Sequence, residues 1–129
     1  MNIILSNASP DPIYDQIKQQ IIRHIITGIL AEGEALPSIR RLARELQVSV
    51  ITTKRAYDDL EKEGFIDTVN GKGSYVSMQN EDFLREKRRR IVEEKLQEAV
   101  KNAKLLDINK DDLIKMMDIL YEEKSDEDS

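Results

Sequence analysis

The side chains able to do chemistry in this chain are cations, and they come without a nucleophile. Arg40, Arg41, Arg44, Lys54 and Arg55 lie within residues 38–55, where Glu45 is the one acid. That stretch therefore carries a local charge of +4 inside a 129-residue chain of net charge −5. Lys72 follows in the run Asn70-Gly71-Lys72-Gly73. Such clusters bind phosphate, and arginine can also read a guanine edge. Bond-making chemistry is poorly served. There is no Cys and a single His, which leaves no thiolate or multi-histidine metal site. Gly71-Lys72-Gly73 lacks the spacing of a phosphate-binding P-loop, and no nucleophile–base pair stands out. His24, with no partner motif, reads as structural. No enzyme, metal or cofactor is expected.

These cations need elements to aim them. Asp11-Pro12 reads as an N-cap followed by proline at the first helical position. Ile17, Ile21 and Ile25 recur every fourth residue, flanked by Tyr14 and Ile22, and Gly28 ends the helix. Ser38 caps a second helix whose core face is Leu42, Ala43 and Leu46. After a tight break at Gln47-Val48-Ser49, Ser49 caps a third helix that Gly64 stops. On a helical wheel Thr53, Ala56, Tyr57 and Leu60 fall within about 60° of one another and define its buried face. Ile51 and Arg55 point nearly opposite, with Lys54 to one side. Residues 65–69 and 74–77 are β-formers on either side of Asn70-Gly71-Lys72-Gly73, a hairpin signal. Two short helices followed by a hairpin make a winged helix-turn-helix, a shape that places one helix end in the DNA major groove.

The charge pattern limits which part of the third helix faces DNA. Residues 56–63 carry Asp58, Asp59, Glu61 and Glu63 against Lys62, a local charge of −3. Phosphate repels that half, so only the first turns approach the duplex. There Ile51 is an outward aliphatic residue, either a stray surface side chain or a contact for a thymine methyl. Lys54 and Arg55 meet phosphates or a guanine edge, or else form a solvated basic face. Ser49 leaves the first N–H groups of its helix open, a natural phosphate site. Lys72 at the hairpin tip suits a minor-groove or backbone contact.

After Met78 the composition changes. Residues 82–106 read as one long charged helix, with Val92, Leu96, Ala99, Ala103 and Leu106 stepping by 4, 3, 4 and 3. Its start carries Arg85, Lys87, Arg88, Arg89 and Arg90, read as a solvated face or a further phosphate contact. Asn109 caps a last helix with a stripe of Leu113, Met116, Met117, Leu120 and Tyr121. These stripes are too apolar for isolated helices. They pack either on the same chain or, the better option, in a symmetric dimer that presents two recognition helices about one duplex turn apart. The end, Ser125-Asp126-Glu127-Asp128-Ser129, is too acidic to pack and reads as frayed. At the other end, Ile3-Ile4-Leu5 forms a short strand or docks on the core.

The fold class expected is thus mainly α with a small β-hairpin wing: a winged helix-turn-helix in residues 1–78, then a two-helix dimerisation tail in 79–129. No run of residues suits a membrane span or a signal peptide, and the lack of cysteine suits the cytosol.

Residues 12–76 resemble the DNA-binding domain of GntR-type bacterial transcription regulators. The matching positions include Pro12-Ile13-Tyr14, Gln16-Ile17, Leu36-Pro37-Ser38, Arg40, Leu42-Ala43, Val48-Ser49, Thr52, Ala56-Tyr57, Leu60-Glu61, Gly64-Phe65-Ile66 and Gly71-Lys72-Gly73. The remaining 50 or so residues resemble the short helical tail of the YtrA-like subfamily. The resemblance implies a homodimer on a palindromic double-stranded operator, often beside ABC-transporter genes. It places DNA contacts on Arg40, on Ser49, Val50, Ile51 and Thr52, on Lys54, and on Asn70, Gly71 and Lys72. Val50 and Ile51 depart from the family, whose members often carry polar or basic residues there. The competing reading is a winged-helix module for protein interaction or non-specific nucleic-acid binding. Alignment of Arg40, Lys54 and Lys72 on one surface argues for the regulator.

Overall fold

Ile17, Ile21, Ile22 and Ile25 form the buried face of the first helix, α1 (Ile13–Ile26). The structure, a computed structural model, describes residues 1–123; the acidic end expected to fray lies outside them. Helix α2 (Ile39–Leu46) and helix α3 (Val50–Lys62) follow, then strands β1 (Ile66–Val69) and β2 (Gly73–Val76), and helices α4 (Glu81–Leu105) and α5 (Lys110–Glu122). The fold is mainly helical with a small antiparallel hairpin, a winged helix-turn-helix.

One helix start differs from expectation. Pro12, not Asp11, occupies the N-cap of α1, in extended conformation and with no side-chain cap. The Asp11 carbonyl instead accepts a hydrogen bond from Gln16 Nε2 (2.9 Å). The other caps form as expected. Ser38 Oγ accepts from the Arg41 N–H, Ser49 Oγ from Thr52, and Asn109 Oδ1 from Asp112. Gln47 closes α2 in the left-handed conformation at φ 57°, which makes the tight break before α3.

The N-terminal segment docks on α1 through two glutamines. Gln20 accepts from the Ile4 N–H at 2.9 Å and donates to the Ile4 carbonyl at 2.7 Å. Gln16 does the same for Ser6, both bonds at 2.9 Å. Four residues of helix rise about 6 Å, close to two residues of extended chain. Gln16 and Gln20 therefore meet alternate backbone positions, and Ile3 becomes buried.

In α3, Thr53, Ala56, Tyr57 and Leu60 are buried, the face read from the wheel. They pack with Ile17, Ile21, Leu42, Phe65, Ile66 and Val76 in the core. Tyr57 Oη donates to the Pro37 carbonyl (2.7 Å), tying α3 to the start of α2. Burial, then the charge of Glu45, hold that phenol well above its usual range. The wing pairs Ile66 with Val76 through Val69 with Gly73. Its far edge gains a neighbour that the sequence did not announce: Gly33, Ala35 and Leu36 run beside β2, with Gly33 N–H on the Val76 carbonyl and Leu36 N–H on Ser74.

The chain divides into two compact units, Met1–Arg85 and the residues from Glu86 onward. Within the first, Asn80 caps the start of α4 by accepting from the Phe83 N–H, and Phe83 meets Phe65 edge-on with centroids 5.6 Å apart. Within the second, Ala103 is buried, while Val92, Leu96, Leu106, Met116, Met117 and Leu120 are exposed. A cleft of about 390 Å³ opens between α4 and α5, with Leu96, Val100, Ala103, Leu113 and Met117 in its walls.

Candidate nucleic-acid interface

The outer face of α3 carries its apolar and basic residues together. Ile51 is 82% exposed and Val50 44%. Both precede the core residue Thr53, whose Oγ1 donates to the Ser49 carbonyl (3.1 Å) and fixes the first turn. Ser49 Oγ accepts from the Thr52 N–H at 3.0 Å and donates to Thr52 Oγ1 at 2.8 Å. That pair commits the Ser49 hydroxyl to shaping the turn, while Thr52 Oγ1 only accepts. The N–H groups of Val50 and Ile51 remain at the outward end of the helix, where the helix dipole is positive.

The cations differ in what holds them. Lys54 Nζ lies 2.7 Å from Asp58 Oδ2, one turn on, with both side chains more than half exposed. Such a pair contributes about 0.3–0.5 kcal/mol, so a phosphate can readily replace the carboxylate. Arg41 pairs with Glu45 at 2.9 Å. Arg40 is exposed on the first turn of α2 and, among the described residues, has no ion pair. Arg55 has a different partner. Its Nη2 donates to Tyr14 Oη (3.1 Å), and its guanidinium carbon lies 3.7 Å from the centroid of the Tyr14 ring. No sequence pattern pointed to that pairing, because 41 residues separate the two.

The acidic half of α3 is partly neutralised from α1. Lys18 Nζ lies 3.0 Å from Glu63 and 3.9 Å from both Asp59 and Asp15. Burial alone lowers the pKa of this ammonium, but the Glu63 hydrogen bond and charge, with Asp15 and Asp59, raise it overall. Sequence reading passed over Lys18, whose partners lie mostly on another helix.

At the wing, Asn70, Gly71 and Lys72 form the exposed tip. The Lys72 N–H closes a turn onto the Val69 carbonyl (2.9 Å), and Tyr75 Oη donates to the Lys72 carbonyl (2.7 Å). Gly71 has φ 78°, the positive value that the third position of a type II turn requires. His24 is half-buried on α1. Burial, then the amino-terminal charge, lower its pKa.

A short helix, a left-handed break, a capped outward helix and a basic-tipped hairpin define a winged helix-turn-helix of the DNA-binding class. Comparison with known proteins agrees. Residues 13–76 match the family described as bacterial regulatory proteins, gntR family. The HTH-type transcriptional repressor YtrA of Bacillus subtilis (strain 168) is 37% identical over 95 residues, spanning 74% of this chain and 73% of that one. A GntR family transcriptional regulator from Listeria monocytogenes superposes with TM-score 0.76 at 31% identity, over 88% of this chain and 97% of the other. The AraR DNA-binding domain in complex with operator ORX1 superposes with TM-score 0.53 at 25% identity, over 60% of this chain and 96% of the other. The chain belongs to the GntR family and is a DNA-binding transcription regulator of its YtrA-like type. Among the described residues, no helix is long and apolar enough to cross a membrane.

Proposed function

We propose that the chain is a homodimeric repressor that occupies a palindromic operator, with residues 1–78 reading DNA and 79–129 pairing the protomers. The observation that carries this reading is the outer face of α3. Ile51 stands exposed beside Lys54 and Arg55, while Lys18 engages two of the acids further along the helix. Val50, Ile51 and Thr52 then face base edges. Ile51 packs on a thymine methyl, which replaces hydrogen-bond readout by shape and apolar contact. Arg40, Ser49, Lys54 and Arg55 meet the phosphate backbone, and Asn70, Gly71 and Lys72 bring the wing tip to it.

Dimerisation is supported by the exposed stripe of the second unit. Val92, Leu96, Ala99, Leu106, Leu113, Met116, Met117 and Leu120 present more apolar surface than two isolated helices keep in water. Ala103 lies buried at its centre. A two-fold pairing covers this surface and sets two recognition helices on two half-sites. Resemblance to the YtrA-like subfamily extends the proposal to a target: a nearby operon encoding an ABC transporter.

The test is an anisotropy titration of the full chain on duplex DNA from upstream of its own operon, with scrambled competitor at physiological salt. Competitor-resistant binding at two protomers per site is the expected result. Weak, salt-sensitive binding that the competitor removes favours the protein-interaction or non-specific module instead.

A further inference from the structure

We propose that Tyr14 is a positioning residue for DNA binding: its ring holds the Arg55 guanidinium as a preset clamp for one backbone phosphate. This rests on the DNA-reading function proposed above.

Three observations carry it. Arg55 lies one helical turn after Ile51 on the outward stripe of α3. It is the last cation on that stripe before the acidic half. A residue one turn beyond the base-reading position stands where the groove wall, and so the phosphate backbone, rises. The second observation is the kind of partner. Lys54 and Arg41 each pair with a carboxylate, which offsets their charge and competes with a phosphate for their donors. Arg55 lies against a neutral ring, 3.7 Å from its centroid, and keeps its full charge. The third is the donor count. A guanidinium has five N–H donors, and Tyr14 Oη takes one of them at 3.1 Å. The others stay available, on a planar group already fixed by stacking. A long side chain that is ordered beforehand loses less freedom when it binds.

Tyr14 suits this work by position. It sits in the first turn of α1, half-buried, with Arg55 lying over its ring. Leucine there would fill space but could neither stack on nor accept from the guanidinium. Phenylalanine would keep the stack and lose only the hydrogen bond.

The experiment measures the salt dependence of binding for the full-length protein and for Arg55→Gln, Tyr14→Leu, Tyr14→Phe and the Tyr14→Leu/Arg55→Gln double variant. The probe is a duplex selected by the wild-type chain from a random library, with a random duplex alongside. Arg55→Gln is expected to lower the log–log salt slope by about one unit per bound protomer and to weaken binding equally across base variants of the site. Tyr14→Leu should weaken binding several-fold in the same uniform way, Tyr14→Phe should stay near wild type, and the double variant should be no weaker than Arg55→Gln alone. Thermal denaturation of each variant separates folding from binding. A Tyr14→Leu protein that melts lower yet binds with wild-type affinity overturns the positioning role. So does an additive double variant, and an unchanged slope for Arg55→Gln overturns the clamp itself. If the library yields no enriched sequence, the operator-reading function fails instead. The slope on the random duplex still decides whether Arg55 meets phosphate.

Discussion

Arg40 and Lys54 both carry positive charge at the surface, but only Lys54 has a carboxylate, Asp58, that competes with a phosphate for its ammonium. In the proposed DNA-bound state Arg40 therefore has no ion pair of its own to give up. Arg40→Ala is expected to reduce operator affinity and lower the salt slope by about one unit per protomer, with sedimentation still reporting the dimer. Equal affinity at matched salt removes Arg40 from the interface. Ile51→Ala belongs to the other class. It should shift base preference in a selection experiment while leaving the salt slope alone, because a methyl contact releases no counterions. His24 gives a pH effect of known sign. Burial first, and the amino-terminal charge second, set its folded-state pKa below the ordinary 6.5. Below pH 6.5 the unfolded chain takes up a proton that the folded chain resists. Stability is then complete above that pH and falls as pH drops from 6.5 through the lowered folded value. Urea midpoints measured across that window should decline, and His24→Gln should flatten that part of the decline.

At the scale of elements, the strands of the wing are anchored by Ile66 and Val76 in the core, whereas its tip depends on backbone geometry. Gly71 has φ 78°, and a Cβ placed there meets nothing within 4 Å. The cost of Gly71→Ala is therefore conformational alone, about 1–2 kcal/mol, read as a lower urea midpoint. Gly71→Asn should lose less, since asparagine enters the left-handed region more easily. The helix-turn-helix is tied differently. Tyr57 fastens α3 to the Pro37 carbonyl that precedes α2, so the angle between the two helices rests on one buried hydroxyl as well as on Leu42, Ala56 and Leu60. Gln16 and Gln20 add a third tie by fastening the N-terminal segment to α1 at alternate residues.

At the scale of the whole molecule, the proposed dimer makes the sharpest prediction. Leu96 lines the cleft between α4 and α5 yet remains nearly half exposed. Burying a carboxylate there is costly. Leu96→Glu should sediment as a monomer and bind the operator far more weakly, while its circular dichroism still reports folded helices. A dimer that persists with wild-type affinity rules out tail pairing through this face.

Much of this protein was determined by its sequence alone, and the reason is range. Caps, glycine turns and apolar periodicity act over a few residues. Ser38, Ser49 and Asn109 therefore cap the helices expected of them, and Thr53, Ala56, Tyr57 and Leu60 form the buried face read from a helical wheel. The outward placing of Ile51, Lys54 and Arg55 follows from the same wheel. At Asp11-Pro12 the local pattern failed, because Gln16 reaches back to the Asp11 carbonyl and the helix begins one residue later. What only the tertiary structure decided lies between residues far apart in the chain. Arg55 finds Tyr14, Lys18 finds Asp59 and Glu63, and Gly33 to Leu36 line the edge of the wing. Those pairings depend on how α1, α3 and the hairpin pack, and no spacing along the chain encodes a distance across a core.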